Sequence, residues 1–165
     1  MTVISINAGE LMVGGHTYVL EAPGLGSCVA VCLYDAKRKN GGMAHIMLPA
    51  DNLKTGISKM LLIRDEGCRN HPLRYADIAI DKMIEELKSL GSFPDDLVAK
   101  IFGGSEMFVT LVSGRLSMGR KNIESVREKL AELSIPIISE DVGGNVGRSV
   151  KFFVDSGDVE IRKRM

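Results

Sequence analysis

Apolar and polar positions along the chain change period several times, and these changes place its elements. Between 75 and 90, Ala76, Ala79, Ile80, Met83, Ile84, Leu87 and Leu90 recur at three- and four-residue intervals. That spacing puts them on one stripe of a helix, and Gly91 directly after it supplies a C-terminal stop. A second helix is expected to open at Asn122, a good N-cap, carry Ile123, Val126, Leu130 and Leu133 on one face, and stop before Pro136. Its other face, Glu124, Arg127, Glu128, Lys129 and Glu132, reads as solvated. Shorter apolar runs bounded by turn residues predict strands at 17–20, 28–34, 43–48, 99–102, 135–140, 149–154 and 159–162, with Ser156-Gly157 joining the last two as a hairpin. No repeat, low-complexity tract or linker interrupts the mixture. The pattern predicts an α/β protein with a packed β-sheet core flanked by helices.

Composition narrows the setting. A length of 165 residues suits one domain, 1–165, large enough to bury a core. Lys plus Arg and Asp plus Glu each number 21, a balance that gives no reason to expect nucleic-acid or anionic-membrane binding. Three cysteines, Cys28, Cys32 and Cys68, are an odd count without disulfide-framework spacing, which points to a reducing, cytoplasmic compartment. The start lacks a basic segment followed by an apolar one, and no stretch reaches about 18 uncharged apolar residues, so no membrane insertion is expected. Cys68 and His71 have half of a metal-site spacing and no second half, so no metal is expected.

The candidate chemistry begins at Gly24-Leu25-Gly26-Ser27-Cys28, a small-residue turn that delivers a cysteine to the mouth of an apolar run. Such a turn leaves room for a carbonyl to approach the sulfur. Its N–H groups, those of Ser27 and Cys28, can converge on the oxyanion that forms. A cysteine in an apolar run is also what a small buried hydrophobe looks like, the simpler reading of Cys32. His45 interrupts the apolar segment Met43–Leu48 and could serve as base to the thiol; alternatively it is a core histidine satisfied by a backbone carbonyl. If the pair acts together, Cys28 alone among the three thiols should have a lowered pKa.

Register decides whether the two can meet. A tight turn at Asn40-Gly41 would set His45 opposite Ala36, roughly 26 Å along the strand from Cys28 at about 3.3 Å per residue. Contact instead requires a register with Cys28 nearly opposite His45, or strands meeting across two layers. Two glycine pairs, Gly103-Gly104 at a strand end and Gly143-Gly144 after one, read as tight turns needing positive φ. Their functional reading is bare backbone that lets a bulky helical substrate come close to Cys28.

These blocks together resemble the CheD family of chemoreceptor glutamine deamidases: Gly24–Cys28, Met43–Pro49, Lys100–Gly104, Gly119–Asn122, Glu140–Asn145 and Arg148–Val150, in the family order over roughly residues 20 to 155. The resemblance implies the layered sandwich of cysteine glutamine deamidases and a cysteine amidohydrolase that converts glutamines in the cytoplasmic helical region of chemotaxis receptors to glutamate. Carried over by motif, Cys28 is the nucleophile and His45 the general base, with no cofactor. A CheC-type phosphatase is the implied regulatory partner. One position departs from the pattern: where the family has a threonine whose hydroxyl would orient the histidine, this chain has Ala22. Either another group, such as a backbone carbonyl, orients His45, or the chain is a weakly catalytic or non-catalytic adaptor for the phosphatase and receptor helices. A cysteine hydrolase acting on some other amide or ester is a third reading.

Overall fold

A computed structural model of the chain describes residues 1–50, 71–106 and 117–164; Cys68 lies outside them. Among these residues are nine strands, β1 (Thr2–Ser5), β2 (Leu11–Gly14), β3 (Tyr18–Leu25), β4 (Val29–Asp35), β5 (Asn40–Ile46), β6 (Val98–Gly103), β7 (Ile137–Val142), β8 (Gly147–Phe153) and β9 (Val159–Arg164), and two α-helices, α1 (Ala76–Ser89) and α2 (Met118–Glu132). The strands form a four-stranded sheet, β1-β3-β8-β9, and a five-stranded sheet, β2-β5-β4-β6-β7. The helices cover one face of the larger sheet and the smaller sheet covers the other, which makes the expected α/β sandwich a three-layer one.

β4 shows why the layers form. Every residue of it is buried, and its side chains divide by the two-residue period of a strand. Val29, Val31 and Leu33 join Ala79, Ile80, Met83 and Leu87 of α1 and Val126 and Leu130 of α2 in one cluster. Ala30, Cys32 and Tyr34 join Leu20, Ala22, Val150 and Phe152 of the smaller sheet in the other. Each fully buried Leu, Ile or Phe contributes about 1.5–3 kcal/mol relative to exposure, so two such clusters dominate the fold's stability.

The β4–β5 hairpin corrects the tight-turn register. Asp35 pairs with Asn40 and Ala30 with His45, so the connection is 36–39 rather than Asn40-Gly41. The cause is local: a carboxylate oxygen of Asp35 accepts the N–H groups of Lys37 at 3.0 Å and Arg38 at 3.2 Å, and Lys39 takes a left-handed φ of 55°. Gly41 is needed for close approach instead, because a Cβ there would meet the Leu33 carbonyl oxygen at 2.9 Å and the Phe152 ring at 3.0 Å.

α1 lies within one residue of its expected bounds. α2 starts earlier than expected: Ser117 is its N-cap, accepting the Arg120 N–H at 3.3 Å, and Asn122 sits inside the helix, buried. Periodicity missed β1 and β2, four residues each, which lie at sheet edges where alternation is too short to read.

Candidate active site

The ladder registers bring Cys28 and His45 to one face. The β4–β6 pairing continues past Val29, since the Gly104 N–H donates to the Cys28 carbonyl at 2.8 Å. Cys28 therefore alternates with Val29 and points, like Ala30, between the sheets. His45 is opposite Ala30 on that same face. The two are diagonal cross-strand neighbours, a spacing that long side chains can bridge. Cys28 is half-buried and His45 buried.

His45 is held from the opposite sheet. Its Nδ1 lies 2.9 Å from the carbonyl oxygen of Ile6. A carbonyl only accepts, so Nδ1 carries the proton and Nε2 keeps its lone pair. Ile6 is delivered there by β1, whose parallel pairing with β3 matches Ser5 to Glu21, and by its own N–H, which donates to the Glu21 carbonyl at 2.7 Å. That places Ile6 level with Ala22, which is fully buried in the inter-sheet cluster. The main-chain carbonyl that contacts the ring thus comes from the segment directly after β1, level with Ala22.

Electrostatics corrects the expected thiol. Burial pushes the Cys28 pKa up, with no cation beside it among the described residues to pull it down. Burial likewise lowers the pKa of His45, opposed by the hydrogen bond to Ile6 and the charge of Glu10. Both shifts favour a neutral thiol and a neutral imidazole over an ion pair. Cys32, on β4 and fully buried between the sheets, is pushed up further by burial.

The turn before Cys28 is tied down through its carbonyls. Gly26 accepts from the Ser105 N–H at 2.8 Å, Ser27 from Asn122 Nδ2 at 2.9 Å and Cys28 from Gly104 at 2.8 Å. Among the described residues, no acceptor engages the N–H of Ser27 or Cys28. Gly103 and Gly104 take φ of 104° and 68°, and a Cβ on Gly103 would strike the Cys28 carbonyl. Gly143 and Gly144, at 79° and 73°, are stitched to them, the Gly143 N–H donating to Gly103 at 2.9 Å. Gly104, Gly143, Gly144, Glu106, Arg120 and Ile123 line a cavity of 290 Å³. Buried Arg148 fixes its rim, donating to Asp141 at 2.6 Å and to the Gly143 carbonyl. Ile6 carries no signal in the sequence and Asn122 is legible there only as a helix cap; Ile6 contacts the ring through its main chain, which no side-chain pattern reports.

Comparison with known proteins identifies the family. The family model described as CheD chemotactic sensory transduction matches residues 60–163. Over 158 residues the chain is 39% identical to the chemoreceptor glutamine deamidase CheD of Thermotoga maritima, covering 96% of this chain and 90% of that one. Over 160 residues it is 38% identical to a probable chemoreceptor glutamine deamidase CheD of Clostridium botulinum, covering 96% and 91%. More than half the chain fits the family model and nearly all of it aligns with these relatives: the chain belongs to the CheD family.

Proposed function

We propose that this protein deamidates glutamine side chains of chemotaxis receptors, with Cys28 as nucleophile and His45 as general base. The observation that carries the reading is the contact of His45 Nδ1 with the Ile6 carbonyl: with Nδ1 the donor there, Nε2 is the nitrogen left to take a proton, on the face that Cys28 shares. The names of the relatives supply the substrate class.

The chemistry runs from a neutral pair. As the sulfur attacks the side-chain amide carbon, His45 Nε2 removes the thiol proton, so no free thiolate need accumulate. The N–H groups of Ser27 and Cys28 meet the developing oxyanion. The imidazolium returns its proton to the departing nitrogen, releasing ammonia and leaving a thioester. Water, deprotonated by His45, then attacks the thioester; glutamate leaves and the thiol is restored. Amide plus water gives carboxylate plus ammonium, and no other reactant is consumed. Gly103, Gly104, Gly143 and Gly144 let a helical substrate approach the sulfur.

The reading includes a cytoplasmic setting, where the helical region of the receptors lies, and a CheC-type phosphatase as regulatory partner, tested by co-elution of the two proteins. Its central test is incubation with a cytoplasmic receptor fragment. Ammonia release and amide-to-acid mass shifts at particular glutamines, both lost in Cys28→Ala and His45→Ala, are expected. Binding of the fragment without any mass shift would instead make the chain an adaptor.

A further inference from the structure

Asn122 lies on the inner side of α2 and is fully buried. Its amide reaches two segments far apart in sequence: Nδ2 donates to the Ser27 carbonyl at 2.9 Å and to the Met47 carbonyl at 3.0 Å. Ser27 immediately precedes Cys28, and Met47 is two residues beyond His45. A primary amide has two N–H groups, and both are used on these two loops. Oδ1 is left buried with no partner among the described residues. Turning the amide over would aim that oxygen at two carbonyl oxygens, so a single orientation fits. Filling space alone would call for an apolar side chain, because a buried amide oxygen without a partner is destabilising.

The helix that carries Asn122 is itself fixed against the site. Gly119, one turn earlier, packs so closely that a Cβ would meet the Ser105 and Gly104 carbonyl oxygens at 2.5 and 2.6 Å. Those two residues donate to the carbonyls of Gly26 and Cys28. Asn122 is thus mounted on a rigid element and grips the nucleophile's turn and the end of the histidine's strand with one group.

We propose that Asn122 is a positioning residue that sets the separation of Cys28 and His45 by clamping Ser27 to Met47. The proposal rests on the Cys28–His45 reading above. It predicts that Asn122→Ala loses kcat for the receptor fragment by about 10- to 100-fold, the scale of a misplaced reacting group, with KM unchanged. Asn122→Leu keeps a branched side chain of similar shape without any donor, and should be as slow as Asn122→Ala; a space-filling role would leave it near wild type. A measurement on the wild-type protein covers the case in which both variants fail to fold: the Asn122 side-chain amide protons should exchange slowly with solvent, and fast exchange overturns the clamp. Wild-type kcat in folded Asn122→Ala, or a raised KM at unchanged kcat, also overturns it while Cys28→Ala remains inactive. If Cys28→Ala retains activity, the dyad reading fails and the clamp with it.

Discussion

His45 and Cys28 owe their protonation to burial, and their pH behaviour follows from it. An exposed histidine titrates at about 6.5; burial holds His45 below that. The neutral base therefore persists to more acid pH, and the acid limb of kcat/KM should fall below the ordinary histidine range. Stability runs the other way. As pH drops through about 6.5 the unfolded chain binds the proton first, so native stability falls until His45 also protonates; urea midpoints should decline over that window less in a His45→Gln variant. Because burial raises the Cys28 pKa, iodoacetamide should alkylate it at a rate that climbs through the alkaline range, without an acid-side plateau. A plateau below neutral pH would mean a stabilised thiolate. Cys28 and His45 stand out in the sequence as candidates from their interruption of turn and apolar patterns, but their charge states do not, because solvent exclusion is a property of the packed sandwich. Ala22 makes the same point. Its missing hydroxyl suggested a poorly oriented base, yet Ile6 already engages Nδ1. Ala22→Thr should leave kcat unchanged and cost about 1–3 kcal/mol from overpacking a fully buried site, read as a lowered thermal midpoint. A clear gain in kcat would show that the carbonyl does not substitute for the hydroxyl.

Glycines separate two demands at the level of elements. Gly143 and Gly103 both have positive φ, but a Cβ on Gly143 meets nothing within 4 Å whereas one on Gly103 strikes the Cys28 carbonyl. Gly143→Ala should therefore cost only the conformational strain, about 1–3 kcal/mol. Gly103→Ala must also push β6 away from the turn, and should lower both stability and turnover further. Equal denaturation midpoints for the two variants would contradict the close approach. The sequence made the positive φ of these turns predictable without revealing which turn abuts the cysteine. The hairpin teaches a related lesson: Asn40-Gly41 is a favoured turn pair, but four hydrogen bonds to the Asp35 carboxylate, from Lys37, Arg38 twice and Ser92, outweigh it and move the turn upstream. Ser92 comes from beyond α1, a partner that local propensity does not contain. For Asn122, capping preference pointed to a helix start, whereas its amide serves tertiary acceptors inside the helix.

At the scale of the whole molecule the candidate site spans a seam. Cys28 and His45 belong to the five-stranded sheet, while the carbonyl that orients His45 follows β1 of the other sheet. The helix stripe of α1 announced one side of the core, and the strand runs announced a sheet; the division into two sheets was not readable, because a strand buried on both faces loses its polar alternation. No helix among the described residues is long and apolar enough to cross a membrane. If the seam sets the geometry, equal damage to the two clusters should have unequal effects. Leu20 is fully buried between the sheets, paired with Ile4 of β1, and Leu87 is fully buried between α1 and the larger sheet. Truncating either leucine to alanine should cost about 2–5 kcal/mol. Below both unfolding midpoints, Leu20→Ala should also lower kcat, since β1 then seats Ile6 less firmly against His45, while Leu87→Ala should turn over at the wild-type rate. Equal kcat in the two variants would mean that the ring is held without help from the inter-sheet core.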